Sequence, residues 1–249
     1  MKLARFAYNG QIHEAEYRDG QLWVGNVAYD PDDVMWLPPT ETRGVTVYGV
    51  ALGYADHAEE LGLDLPDYPI LFTKNPHALI GHKANVKRPD VEYMHYEAEL
   101  VAVIGRPCKN VKADEALNYV KGYTVGNDVT VRDFVGNYYR PPVKAKGFDT
   151  FGPIGPWLVT RDEIRDPQDL RLKLSVNGVM RQDSSTDDMI FTVAKIISYM
   201  SNFMRLMPGD VIATGTPEGV GLGLDPPQFL KLGDVVDLSI SGLGTQRQT

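Results

Sequence analysis

Glu97 and Glu99 stand one residue apart at the head of the run EAELVAVIG, and Asp128 closes a later run, GYTVGND. On an extended chain residues two apart project from one face, so the two glutamates point the same way. The run continues as LVAVI, apolar on both faces. Two anions at the mouth of a buried strand repel each other, lose hydration and need a compensating charge. Three carboxylates, with no cysteine or paired histidine among them, suit a hard divalent ion such as Mg2+ or Mn2+, with positions left open for substrate. Glu-x-Glu also occurs on exposed strand edges. The apolar flank here, and an aspartate placed where a strand should end, favour the metal reading.

Asp56-His57-Ala58-Glu59-Glu60-Leu61-Gly62 has the pattern of a short helix, with Asp56 as N-cap and Gly62 as terminator. His57 and Glu60, three apart, share a face, and a carboxylate beside an imidazole orients it and raises its basicity. This is either a general acid/base pair or a solvated surface turn; Gly53 before it and Gly62 after it suit a segment that moves, such as a lid. Arg132, Arg140, Lys144 and Lys146 crowd into one Gly/Pro-punctuated loop of an acidic chain. Such a loop receives a substrate with several carboxylates, or is merely basic and solvated. Phe134, Tyr138, Tyr139 and Phe148 interleave with these cations and fit a wall around a small unsaturated acid. TGTPEG, Thr214 to Gly219, lacks the lysine of a phosphate loop and the spacing of a dinucleotide fingerprint. A tight turn offering Thr216 and backbone donors to a carboxylate is the better reading.

These residues need elements to position them. Residues 1–43 read as short strands with turns at Asn9-Gly10 and Asp19-Gly20, strong hairpin signals. The stretch Leu37-Pro38-Pro39-Thr40 reads as a linker to a second unit, residues 44–249. There VYGVALGY, ILFTKNP, EAELVAVIG, GYTVGND, PWLVT, DVIATG and DVVDLSI read as strands, and LRLKLSV and VMRQ as a hairpin turning at Asn177-Gly178. Helices are expected at Ala113–Lys121 and Phe191–Phe203. Strands dominate without regular βα alternation, which argues against a TIM barrel or doubly wound sheet and for a mixed, predominantly β, α+β fold.

Bulk properties narrow the partners. With 249 residues and 43% hydrophobic content the chain can bury a sizeable core. Its 25 basic against 33 acidic residues, net −8, argue against nucleic acid or an anionic membrane. No run approaches the roughly 20 apolar residues of a membrane span, and MKLARFAYNG does not read as a signal peptide. Cys108, the single cysteine, excludes an intrachain disulfide and reads as inert; a reducing cytoplasm is the expected home.

Taken together, GYADHAEE, EYMHYEAELVAVIG, YVKGYTVGNDVTVRD, VNGVMRQ, PGDVIATGTPEGVG and GDVVDLSISGLG resemble the fumarylacetoacetate hydrolase family, from about Tyr48 to Gly244. The resemblance implies a mixed β-sandwich roll and Mg2+ or Mn2+ on Glu97, Glu99 and Asp128. It implies a lid dyad at His57 and Glu60, and pocket residues at Arg132, Tyr139, Lys146 and Thr216. Within the family the chain is most similar to the decarboxylase/isomerase branch of homoprotocatechuate degradation. The implied substrate is 5-carboxymethyl-2-oxo-hex-3-ene-1,7-dioate, a small 2-oxo acid with further carboxylates, for which Arg132, Arg140 and Lys74 are candidate cations. Where the family's C–C hydrolases carry a glutamine three residues after the arginine, this chain has Val135, which removes a polar handle on water. The branch is often a fusion of two such halves, of which this chain is expected to supply one; ending at Thr249, it is expected to fall short of the family's usual final strand pairing. A homodimer is implied. The alternatives are an acylpyruvate hydrolase or oxaloacetate decarboxylase of the same family, or an idle dicarboxylate-binding protein.

Overall fold

The computed structural model describes residues 1–136 and 141–249. At the N-terminus β1 (Lys2–Tyr8), β2 (Gln11–Arg18), β3 (Gln21–Val24) and β4 (Val27–Tyr29) form an antiparallel meander, and β5 (Met35–Leu37) folds back on β1. Its first two turns, at Asn9-Gly10 and Asp19-Gly20, put both central residues at positive φ. That twist matches paired strands, which is why the Asn-Gly and Asp-Gly dipeptides announce them.

Next come β6 (Val47–Ala51), α1 (Ala55–Glu60), β7 (Ile70–Lys74), β8 (Leu79–Ile80), β9 (Met94–His95) and β10 (Ala98–Ile104). They are followed by α2 (Ala113–Ala116), β11 (Val120–Asn127), β12 (Thr130–Val131), α3 (Val143–Lys146) and β13 (Gly152–Thr160). The chain ends with β14 (Arg171–Val176), β15 (Val179–Ser185), α4 (Val193–Phe203), β16 (Val211–Ala213), β17 (Val236–Ile240) and β18 (Gly244–Gln248).

Among the described residues twelve strands form one mixed sheet, in the order β4-β3-β2-β1-β13-β11-β10-β16-β6-β7, with β5 on β1 and β8 on β13. A four-stranded sheet, β15-β14-β17-β18, packs on it. Alternation along β10 explains the core. Ala98, Leu100, Ala102 and Ile104 face Leu172, Leu174, Leu238 and Ile240 of the second sheet, and all are essentially inaccessible. The opposite face of β10 carries Glu99 and then Val101, which joins a smaller cluster with Val47, Leu79, Ile154 and Val211. The strand's period of two thus sets the acidic pair on the face away from the main core. Helix α4 closes one end with Val193, Ile196, Ile197 and Met200 at helical spacing.

The structure corrects several expectations. The helix expected over Ala113–Lys121 ends at Ala116, passes through a 3-10 turn at Leu117–Tyr119 and gives way to β11, because Val120 pairs with Ile104 in the central sheet. Helix α4 starts at Val193, where the Thr192 side chain caps the Lys195 N–H. The cap position of α1 is Tyr54, in extended conformation and without a side-chain bond, and Asp56 lies in the first turn. The final strand pairing is present, with β18 antiparallel to β17 across Val236 and Gln248. The N-terminal meander has its own small core of Ala4, Phe6, Ala15, Leu22 and Trp36, and continues the large sheet where Lys2 and Leu3 pair with Val159 and Leu158 of β13. Among the described residues no helix is long and apolar enough to cross a membrane.

Candidate active site

β10 and β11 are antiparallel neighbours, with Ala98 opposite Asn127, so the head of one strand meets the tail of the other. Glu97, just before β10, and Asp128, just after β11, therefore lie side by side, the Asp128 N–H bonding the Glu97 carbonyl at 2.9 Å. Carboxylate oxygens of Glu97, Glu99 and Asp128 all come within 4.8 Å of one another, and all three residues are buried. Asn127 fastens the junction: its Oδ1 accepts from the Glu97 N–H and its Nδ2 donates to Gln248 Oε1.

Two lysines from distant segments enter this cluster. Lys146, at the end of α3, places Nζ 2.7 Å from Glu97 Oε2, 2.6 Å from Asp128 Oδ2 and 2.7 Å from Thr130 Oγ1. Burial alone would drive its proton off, but Asp128, Glu97 and Glu99 outweigh this and hold the ammonium well above its ordinary range. Lys74, at the end of β7, pairs with Asp128 Oδ1. Its proton is held less tightly than usual, because full burial and the neighbouring Lys146 outweigh the Asp128 contact. Lys74, which the sequence offers with Arg132 and Arg140 as a cation for remote carboxylates, thus sits on the acidic cluster itself, beside Lys146 of the basic loop.

The three carboxyls are not equivalent. Glu97 feels burial pushing it up, but Lys146 and Arg132 hold it far below the usual carboxylate range. Glu99 is pushed well above that range by burial and then by Asp128 and Glu97. Its hydrogen bond from the Gly215 N–H, 3.0 Å, compensates only in part. Two carboxylates thus have ammonium partners and the third has none among the described residues. Oxygen donors in this number, with one buried carboxyl left without a cation, fit a hard divalent ion, which would favour its ionised form.

His95 extends the cluster. It lies two residues before Glu97, is fully buried, and accepts the Arg132 Nε–H at Nε2 (2.8 Å) while Nδ1 faces the Tyr96 carbonyl at 3.2 Å. Burial holds its pKa down to about 3. The ring is therefore neutral, donating at Nδ1 and accepting at Nε2, which keeps the Arg132 guanidinium 3.9 Å from Glu97. Parity could have flagged it, since residues 95, 97 and 99 share one face of an extended chain.

A second cluster forms around α1. His57 Nδ1 lies 2.9 Å from Glu60 Oε2, both side chains being largely buried. Glu60 Oε1 accepts the Gly219 N–H at 2.8 Å. A Cβ built on Gly223 would fall 2.0 Å from that same oxygen, so the absence of a side chain there makes room for Glu60. The Thr214–Gly219 loop joins the clusters: Gly215 N–H holds Glu99 at one end and Gly219 N–H holds Glu60 at the other. Gly53, just before α1, packs its backbone on Thr214 and Gly215, where a Cβ would fall 2.3 Å from the Thr214 carbonyl. Thr216, in the middle of the loop, is held by the Gln182 amide at 2.8 Å. Gln182 closes the landmark VNGVMRQ, but nothing local to it announces Thr216 as its partner, and no charge, period or motif singles out Gly223.

The basic loop is only partly gathered in. Lys146 and Arg132 reach the acidic cluster, whereas Lys144 lies over the Phe134 ring, 3.8 Å from its centroid. Val135 is 42% exposed. Tyr138, Tyr139 and Arg140 lie outside the described residues. Cys108 is buried.

Comparison with known proteins agrees with this fold. The family model for the fumarylacetoacetate (FAA) hydrolase C-terminal region matches residues 46–249. A 4-hydroxyphenylacetate degradation bifunctional isomerase/decarboxylase from Salmonella dublin is 48% identical over 200 residues, 80% of this chain. This chain spans less than half of that relative, 45% of its length. Among solved structures, a 5-carboxymethyl-2-hydroxymuconate delta-isomerase from Mycobacterium smegmatis superimposes with a TM-score of 0.85 at 37% identity, covering 100% of this chain and 97% of that one. A fumarylacetoacetate hydrolase from Exiguobacterium antarcticum does so with a TM-score of 0.89 at 33% identity, covering 100% and 98%.

Proposed function

We propose, on the premise that this chain belongs to the fumarylacetoacetate hydrolase family, that it is a divalent-metal-dependent decarboxylase, isomerase or both. Its substrates in this reading are 5-carboxymethyl-2-oxo-hex-3-ene-1,7-dioate and 2-hydroxyhepta-2,4-diene-1,7-dioate, in aromatic catabolism. The observation that carries it is the buried Glu97, Glu99, Asp128 cluster tied by one loop to the His57–Glu60 pair. The names of the Salmonella and Mycobacterium proteins support the substrate class.

Glu97, Glu99 and Asp128 would hold Mg2+ or Mn2+, which when bound supplies a fixed positive charge that polarises a 2-oxo acid. Lys146, already locked by three hydrogen bonds, sets a second cation beside the charge that develops as a carboxyl group departs. Preorganised electrostatics of this kind is usually the largest catalytic contribution. Thr216 and its loop would receive a carboxylate, and Arg132 and Arg140 would take the remote ones. His57, with Glu60 fixing Nδ1, has Nε2 to carry the proton that returns to the carbon chain or tautomerises the hydroxydiene. Apolar Val135 offers no hydrogen bond to water, which disfavours the C–C hydrolase alternative. We place the chain as a cytoplasmic homodimer, with residues 44–249 as the catalytic unit and 1–43 as an appended β unit.

The test is incubation of the purified protein and Mg2+ with a panel of 2-oxo-alkenedioates and acylpyruvates, following CO2 release and ultraviolet change. Metal-dependent turnover of the alkenedioates is expected, with His57→Ala slower by roughly 10²–10⁴-fold and still binding metal. Turnover confined to acylpyruvates would make it a hydrolase, and none at all would sink the enzymatic reading.

A further inference from the structure

We propose that Gln182 is a positioning residue that fixes the direction of the Thr216 hydroxyl proton and so makes Thr216 a donor to a substrate carboxylate. The inference rests on the reading of the site given above. Gln182 lies on β15, is 1% exposed, and divides its amide between two segments. Its Oε1 accepts the backbone N–H of Ala98, 3.0 Å away at the head of β10. A backbone N–H can only donate, so this contact fixes which end of the amide is oxygen. The Nε2 end then meets Thr216 Oγ1 at 2.8 Å, the Pro217 carbonyl at 2.9 Å and the Glu218 carbonyl at 3.2 Å. Carbonyls can only accept, which agrees with the same orientation.

Thr216 Oγ1 therefore accepts from Gln182, and its own proton must turn elsewhere. Thr216 is 2% exposed, and among the described residues its hydroxyl donates to no protein acceptor. The preceding residue, Gly215, gives its N–H to Glu99, so the chain that carries this unspent donor is fastened to the carboxylate cluster. A buried O–H without an acceptor is unfavourable, and a carboxylate oxygen satisfies it. Were the side chain at 182 an acceptor on that end, Thr216 would turn its proton back and present lone pairs to an anionic substrate.

The same bonds also tether the loop, so the test must separate steering from tethering. Gln182→Glu is nearly isosteric, keeps an acceptor for Ala98 and sets an oxygen against Thr216. Binding of oxalate in the presence of Mg2+ is read by calorimetry, and KM and kcat with a 2-oxo acid that the wild type turns over, for Q182E, Thr216→Val and the double variant. Each single variant should weaken oxalate binding and raise KM by roughly 10-fold or more, as for a hydrogen bond to a charged group. In the T216V background the change at 182 should add less than about 2-fold, because the hydroxyl it steers is gone. Should Q182E fail to fold, Gln182→Met replaces it in the same cycle, with the same non-additivity expected. Additive losses, or a variant at 182 that binds like wild type, would overturn the proposal while leaving the site reading intact. Wild-type protein that neither binds oxalate nor turns over any 2-oxo acid would overturn the site reading and this proposal with it.

Discussion

Glu99 is the carboxyl that, among the described residues, has no lysine paired with it. Lys146 and Lys74 neutralise Glu97 and Asp128, while Glu99 keeps one backbone N–H and the repulsion of two anions. Glu99→Gln should therefore have opposite effects on two measurements. The metal-free protein should melt a few degrees higher, roughly 2–4 °C per kcal/mol of repulsion relieved in a chain of this size. Mg2+ affinity should fall by more than the ~10–100-fold typical when a group behind a ligand is lost. Thermal melts in chelator and calorimetry in Mg2+ read these separately; unchanged affinity would place the third ligand elsewhere. This cluster was legible at the residue scale because a strand's period of two converts E-x-E into one face. The lysines were legible only as composition. Lys74 and Lys146 approach from β7 and α3, and nothing local to either announces that both end on Asp128.

The element that organises the site is the Thr214–Gly219 loop; the sequence marks it as a tight turn offering backbone donors to a carboxylate, but not that they hold Glu99 and Glu60, because every residue but proline carries such an N–H. Its hold on Glu60 can be tested without touching a ligand. Gly223→Ala places a methyl where the Glu60 carboxyl lies, and the flexible side chain must give way. The expected result is turnover lowered by roughly 10-fold or more, as the proposed acid/base residue loses its partner, with Mg2+ affinity unchanged. Wild-type turnover in G223A would detach Glu60 from the chemistry. Helix α1 carries a second dependence that its sequence did not show. Asp56 was expected as an N-cap; instead its carboxyl accepts the Glu218 N–H at 3.1 Å, and its own N–H bonds Asp188 Oδ2 at 3.0 Å. Burial first, and then Asp188, push Asp56 up to about 6. Glu59 and Asp64 line the same hollow and add no cation. A carboxyl whose folded pKa is raised stabilises the fold fully below its unfolded value, near 4, and that contribution is lost as pH rises through about 6. Asp188→Asn keeps an acceptor for the Asp56 N–H and removes the repulsion. Melting temperature against pH should then be flatter between about 4 and 6 than in wild type, and higher at pH 7 by ~2–4 °C for each kcal/mol of repulsion removed. Superimposable profiles would refute the coupling.

At the scale of the whole molecule, hairpin dipeptides made the N-terminal strands legible, but their attachment was not, because pairing between segments far apart in sequence leaves no local pattern. β1 meets β13 through Lys2, Leu3, Leu158 and Val159, and Tyr17 stacks on Trp157 with centroids 4.1 Å apart. β13 in turn pairs with β11, whose end sets Asp128. The proposed boundary near residue 43 thus divides the chain at a shared sheet edge, and stability and metal binding should separate there. All three candidate ligands and both lysines belong to segments after residue 43, so a 44–249 fragment should still be stabilised by Mg2+. At a hundred times Kd that stabilisation is about 2.7 kcal/mol, roughly 5–10 °C in a chain of this size. The same fragment bares the β13 edge and the Trp157 ring, a ready template for edge-to-edge pairing. It should melt below the full chain and elute partly as higher oligomers in size-exclusion chromatography. A fragment as stable and as monodisperse as the whole would show that the β1–β13 seam contributes little. A fragment that has lost its response to Mg2+ would show instead that the N-terminal strands hold β13, and through it β11 and Asp128, in place.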